Sequence, residues 1–355
     1  MTGRTLPILG LGASTPVGRN VEASVAAVRA GVCGFSEHPW MVDTAGQPMR
    51  VAFAPWLDLA LDGAARLGAL LLPAMAQALA PLTQADAVLP LRIGLALGLP
   101  SPRPGRSDTL AADVLKLIDE RWPSGFARIA HFDTGHAAGC LAMAAAQAGC
   151  DRGAFDACVV AGVDSYLSPE TLEWVEACDQ LHGGGPLNNA WGFVPGEAAG
   201  ALLVATLEAA RRCGIAPLGE VLAAGVGRES RLIKTDDVCI GEGLTRSFRA
   251  ALLALAPGEQ VHNVFCDLNG EPYRADEFGF AALRTGEHFR VASDFVAPAD
   301  CWGDVGAAGA PLHMALAVVA CRKHYAKGPL SMVWASSETG ERGAVLVRCE
   351  AAARG

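Results

Sequence analysis

Each half of this chain carries a strand followed by a helix that opens on small residues, Asp133–Ala146 in the first half and Gly303–Ala320 in the second. A helix with almost no polar stripe has no face to offer water, so both segments belong in a buried layer. Around them one order recurs: a short apolar strand, a glycine-rich turn, then a helix, which is the signature of an α/β protein. The repeat has two readings, an internal duplication or the ordinary recurrence of such units in any α/β chain. The 355 residues, 51% apolar and only 18% charged, suit close-packed layers in two domains or one large unit.

The strands expected from apolar runs are Leu6–Gly10, Arg92–Ala96, Ala157–Ala161, Ala201–Thr206, Val261–Cys266, Met332–Ala335 and Ala344–Arg348. Thr15-Pro16 opens a turn before the amphipathic stretch Val21–Ala30. Ser168-Pro169-Glu170 reads as an N-cap, a proline in the first helical position and an acid in the first turn. Pro100–Gly105 and His182–Asn189 read as loops.

A formal charge of −9 with no Lys/Arg-rich block excludes nucleic acid and anionic lipid as expected partners. The N-terminal residues lack the apolar core of a signal peptide, and apolar runs such as Ala137–Ala146 are too short or too glycine-interrupted to span a bilayer. The expected location is therefore the cytoplasm. Eleven cysteines stand singly, without a C-x-x-C pair or zinc-site spacing, so most are expected to be core residues, with no disulfide framework; no metal or cofactor is expected.

Three stretches in order resemble the β-ketoacyl synthase family. The first is Gly10-Leu-Gly-Ala-Ser-Thr-Pro-Val-Gly18 with its following helix. The second runs from Asp133-Thr-Gly-His-Ala-Ala-Gly-Cys140 through Ala161-Gly-Val-Asp-Ser165 to Gly192-Phe-Val-Pro-Gly-Glu-Ala-Ala-Gly200. The third is Gly303-Asp-Val-Gly-Ala-Ala-Gly309. The resemblance implies a thiolase-like five-layer αβαβα fold made of two similar halves, here 1–215 and 216–355, usually homodimeric, with an acyl pocket between the halves.

The family's nucleophile is a cysteine at the start of a buried helix, where backbone amides and the helix dipole favour a thiolate and then an oxyanion. Here that position is His136, which cannot hold an acyl group as a stable thioester. The turn's dipole is expected to disfavour protonation of its imidazole. Cys140 lies one helical turn deeper, about 6 Å along the axis, and is expected to be a core residue. The two histidines of the family correspond to Asn269 and to Asp304, or to Gly303 in an ungapped match, and its lysine corresponds to Ala299 or Pro298. The gate loop corresponds to Glu338–Gly343 without its aromatic residue. Gly196-Glu197 and Asp164 match structural turns.

The expectation is thus a ketosynthase-like protein of fatty acid or polyketide synthesis without condensing activity. It would act as an acyl-binding or chain-length-factor-like partner subunit, in a homodimer or a heterodimer, with acyl carrier protein or acyl-CoA as possible partners. One alternative is an acyl transferase or hydrolase with a rebuilt His136, Asn269 and Asp304 site. Another is a non-catalytic adaptor or chaperone using the charged Glu338–Gly343 loop and the Asp236–Glu242 stretch. A metal held by His136, Asp267 and Asp304 is conceivable by residue type, although the spacing carries no ligand motif. An open tunnel beside His136 would favour acyl binding and a sealed one a structural role.

Overall fold

The structure is a computed structural model and describes residues 4–84, 91–235 and 237–350. Its strands are β1 (Leu6–Ser14), β2 (Ser36–Val42), β3 (Pro48–Val51), β4 (Ile93–Gly98), β5 (Arg128–Phe132), β6 (Ala157–Ser165), β7 (Glu197–Ala205), β8 (Gly219–Arg228), β9 (Asn263–Cys266), β10 (Phe295–Val296), β11 (Leu330–Ser336) and β12 (Glu341–Arg348). Apart from the β2–β3 hairpin, the strands form one sheet in the order β10-β9-β11-β12-β8-β1-β7-β6-β4-β5.

That order contains the same five-strand pattern twice. In the first set β5, β4 and β6 run parallel, and β7 and β1 add antiparallel. In the second β10, β9 and β11 run parallel, and β12 and β8 add antiparallel. The sets join where Leu6, Pro7 and Ile8 of β1 pair with Val221, Glu220 and Gly219 of β8.

Five layers follow from covering both faces of each set. Helices Gly63–Gln84 and Leu110–Arg121 pack on the outer face of the first set, burying Leu67, Leu70, Leu71 and Val114 against Leu95, Val159 and Leu203. Helices Glu242–Leu252 and Pro272–Thr285 pack on the outer face of the second, with Phe248 and Phe278 against Trp334. Between the two strand sets lie helices Ala138–Asp151 and Gly309–Arg322, in one core with Val160, Leu202, Val333 and Val345. Because both sheet faces are covered, successive residues of the central strands are buried, throughout β7 and in β6 up to Asp164.

Helix Gly63–Gln84 was not expected from the sequence. By length and composition it could cross a membrane, contrary to the expectation that every apolar run falls short. Here it packs along β1, β6 and β7 as a core helix, despite Pro73 and Pro81 within it. Helix Pro169–Ala177 starts as expected, with Ser168 accepting from the Thr171 amide.

The central helices need glycine where they meet the sheets. A Cβ on Gly162 would lie 2.2 Å from the Ala307 carbonyl oxygen, and one on Gly343 would lie 2.2 Å from Cys140 Cβ. Each central helix also begins in the same way, with a left-handed glycine, Gly135 (φ 73°) or Gly306 (φ 47°), opening a single 3-10 turn.

Candidate functional site

The turn Gly135-His136-Ala137 ends β5's loop and opens the first central helix, which fixes His136 at a buried helix start. Asp304 arrives from the other side: its backbone amide donates to Val194 O, and its carbonyl accepts from the Gly196 amide. Gly303, at φ 74°, turns the chain just before it, so of the two candidate registers it is Asp304 whose side chain meets His136. Asn269 follows β9 on the same rim.

All three side chains converge. His136 Nε2 lies 2.8 and 2.9 Å from the two Asp304 oxygens, which places its proton toward the carboxylate. Asn269 Nδ2 donates to Asp304 Oδ2 (2.6 Å) and to Glu271 Oε2 (2.9 Å). The Gly306 amide donates to Asp304 Oδ1 at 2.8 Å.

The residue that organises this cluster was missed in the sequence. Arg274, from the first turn of helix Pro272–Thr285, is wholly buried and bonds Asp267 Oδ2 (2.8 Å), Glu271 Oε2 (3.0 Å) and Ser336 O (2.7 Å). Its Nη2 is 3.2 and 3.4 Å from the two His136 ring nitrogens. In the ring plane such a position would overlap Cε1, so the guanidinium lies over the ring face. The network continues outward through Gln180, which donates to Glu271 (2.7 Å) and Glu338 (2.6 Å), to Lys234 on Glu338 (3.0 Å). No motif signalled Arg274, because an arginine in a helix's first turn ordinarily faces solvent.

Four carboxylates, Asp267, Glu271, Asp304 and Glu338, thus face two permanent cations, Arg274 and Lys234. Burial and the Arg274 charge both disfavour a protonated His136, yet Asp304 outweighs them and raises its pKa. The expectation that the helix start keeps the imidazole neutral is therefore corrected: a hydrogen-bonded carboxylate at contact distance overrides a partial dipole charge. Burial opposes ionisation of Asp304, but His136, Arg274 and the Gly306 amide hold its carboxyl well below the usual range.

The space left beside His136, bounded by Asn269, Ala299, Trp302, Asp304 and His313, is ≈ 20 Å³, room for about one water. His313 stacks on Trp302 and is pushed down to about 3 by burial, with Asp304 and His136 opposing one another there. The Ala137 amide, a donor at the turn where an oxyanion would sit, is bonded to Ser337 Oγ at 2.8 Å. Cys140 is fully buried one turn deeper against Gly343, and burial, followed by Asp267, raises its thiol far above the usual range. Ala299, one of the two positions matched to the family's lysine, lines the cavity without an ammonium.

Other expected features also take definite places. Glu197 accepts both Arg66 Nε (2.6 Å) and Nη2 (2.7 Å), with the Ala54 amide and Ser165 Oγ. Asp164 joins Arg103 to the Ala307 amide. The Glu338–Gly343 loop, expected as a charged surface, turns its charges inward: Glu338 binds Gln180 and Lys234, and Arg342 is buried on Glu277. A turn this tight between β11 and β12 leaves only Thr339 exposed. In the Asp236–Glu242 stretch, Asp236 lies outside the described residues.

A metal on His136, Asp267 and Asp304 finds no support, since the first and last bond each other and Asp267 Oδ2 is held by Arg274 and the Ser336 amide. Among the described residues Glu229, Cys239 and Glu277 bring ligand atoms within 4.8 Å of one another. Glu229 already accepts the Ser230, Arg231 and Gly243 amides, and Glu277 is neutralised by Arg342, so this group ties a loop to a helix.

Two five-stranded sets around paired central helices, with a left-handed glycine opening each helix, make up a thiolase-like fold. The β-ketoacyl synthase N-terminal domain model matches residues 127–210, the span from β5 through the beginning of helix Leu207–Cys213. Among solved structures, the chain is similar to the type II polyketide synthase AntDE:AntF, an acyl carrier protein in complex with its ketosynthase bound to the hexaketide. That match has a TM-score of 0.81 at 16% identity, covering 98% of this chain and 99% of that one. The ketosynthase from module 6 of the bacillaene synthase from Bacillus subtilis 168 matches with a TM-score of 0.75 at 16% identity, covering 98% and 72%. The ishigamide ketosynthase/chain length factor matches with a TM-score of 0.68 at 20% identity, covering 98% and 100%. No curated protein matches the sequence significantly.

Proposed function

We propose that this chain is a non-condensing, ketosynthase-like subunit that works by pairing with another subunit, as a chain-length-factor-like partner, in acyl-chain or polyketide synthesis in the cytoplasm. The observation that carries the reading is the ≈ 20 Å³ left beside His136, where the helix-start position bears no thiol. Space for one water accommodates neither an acyl chain nor the substrate of a hydrolase built on His136, Asn269 and Asp304. That favours the partner role over acyl binding and over a rebuilt acyl transferase. Eleven free cysteines are in keeping with a reducing compartment.

An exposed sheet edge supports the pairing. β5 ends its set and has no neighbour beyond it among the described residues, and Arg128 to His131 are exposed on both faces. Such an edge presents unpaired backbone groups that a second subunit can continue, whether a copy of this chain or a related one. The division into halves 1–215 and 216–355 belongs to the same proposal and is supported by the repeated strand order.

The test is covalent loading. Purified protein incubated with acyl-ACP or acyl-CoA is expected to keep its intact mass. A stoichiometric acyl adduct on any residue of the Gly135–Cys140 segment would defeat the reading.

A further inference from the structure

Of the eleven cysteines only Cys33 is exposed. It stands in the loop after helix Val21–Arg29, where that loop meets the short helix Ala299–Trp302, and the Gly34 amide donates there to the Cys301 carbonyl at 2.8 Å. The loop is packed down at this point, since a Cβ on Gly34 would lie 2.8 Å from Val17 Cγ1 and 3.2 Å from Pro16 Cβ.

Peptide geometry turns that bond into a limit on the two cysteines. Cys33 Cα lies on the same side of its peptide as the donated hydrogen. The 2.8 Å bond therefore holds the Cα atoms of Cys33 and Cys301 within roughly 6 Å, inside the span of about 4.4–6.8 Å usual for disulfides. The two thiols also differ in the way a stepwise oxidation needs. The Phe35 amide donates to Cys33 Sγ at 3.4 Å, which favours a thiolate on the accessible sulfur. Cys301 is buried, and burial, then Asp300 and Cys33, raise its pKa, which leaves the first attack to Cys33. Cys321 and Cys349 also meet, Cys321 Sγ donating to Cys349 O at 2.6 Å. Both of those are buried, however, and burial followed by Cys321 pushes the Cys349 thiol up to about 12, so an oxidant in solution finds no thiolate there.

We propose that Cys33 and Cys301 are a redox modification site, joined by hydrogen peroxide as a reversible disulfide. The Cys33 thiolate attacks one peroxide oxygen, the O–O bond breaks, and the released hydroxide takes up a proton to leave as water. The Cys301 sulfur then attacks the Cys33 sulfenic acid: the S–S bond forms, the S–O bond breaks, and the hydroxyl leaves with the Cys301 proton as a second water. Two thiols lose two electrons and the peroxide gains them. The link ties the loop to the helix that runs into Gly303 and Asp304, and a dithiol reductant reverses it.

The test treats the reduced full chain, freed of reductant, with hydrogen peroxide, and maps it without reduction. Trypsin is combined with chymotrypsin because Cys301 and Cys321 share a tryptic peptide. The expected product is a monomer lighter by two hydrogens, with the Cys33 and Cys301 peptides linked and full reversal by dithiothreitol. Cys33→Ser should lose the mass change, and Cys301→Ser should hold Cys33 as a sulfenic acid, labelled by dimedone at least tenfold above the unsubstituted chain. A Cys33 that stays reduced, or that ends as a sulfinic acid or an intermolecular disulfide while Cys301 stays free, would overturn the proposal, as would Cys301 linked to another cysteine. Should Cys301→Ser not fold, the peptide map and Cys33→Ser decide alone.

Discussion

The charged groups around His136 share hydrogen-bond partners, and removing a member leaves the others buried with less compensation. Arg274→Met deletes the cation common to Asp267, Glu271 and the His136 ring, and is expected to lower stability by about 3–5 kcal/mol in chemical denaturation. Replacing the exposed Arg92 of the Arg92–Asp156 pair should change it far less, the usual outcome for surface pairs. The pH dependence has a definite sign on each side. His136 has a raised folded-state pKa, so its contribution is complete below the unfolded value near 6.5 and is lost as pH rises through the folded value. Asp304 is depressed, so its contribution is complete above the unfolded value near 3.9 and is lost as pH falls toward the folded value. The thermal midpoint is expected to peak between these limits, with His136→Asn flattening the alkaline limb and Asp304→Asn the acid limb. Unchanged limbs in both variants would contradict the pairing.

Among the elements, the central helices depend on backbone approaching backbone without a side chain between. Gly162→Ala places a methyl against the Ala307 carbonyl, a neighbour that cannot rotate away, and is expected to cost about 1–3 kcal/mol or more, read from the denaturation midpoint. The same logic explains what could be read in advance. Strands buried on both faces, such as β6 and β7, announce themselves as continuous apolar runs, and Ser168-Pro169 marks a helix start by local chemistry alone. Helix Gly63–Gln84 was hidden because Pro73 and Pro81 break its pattern while tertiary packing sustains it. β8, with glycines at 219, 225 and 227, lacks an apolar run, and its register is supplied by β12. At the site, positions 136, 269 and 304 were legible through the order of motifs. Arg274 and Gln180 were not, because nothing local distinguishes a buried arginine or glutamine from a solvated one.

At the scale of the molecule, the network spans the chain from Gln180 to Glu338 and joins the two strand sets across the central helices. Under the proposed role, the hydrogen-bonded charges at the His136 turn serve rigidity rather than chemistry. Under the proposed role, the open edge at β5 is a candidate surface for assembly. Ile129→Lys, which puts a charge on a residue 47% exposed, is expected to shift any dimer toward monomer in light scattering while leaving the melting of the isolated chain within about 0.5 kcal/mol. A dimer unaffected by this change would move the interface elsewhere.

If the chain is a non-condensing subunit as proposed, the turn at His136 admits no substrate, and a thiol placed there measures this most directly. In His136→Cys, treated with iodoacetamide and mapped peptide by peptide against exposed Cys33, the introduced thiol is expected to stay unmodified in the native protein and to react only after unfolding. Alkylation as fast as that of Cys33, or uptake of an acyl group from acyl-CoA at the new thiol, would show an open catalytic pocket and contradict the account.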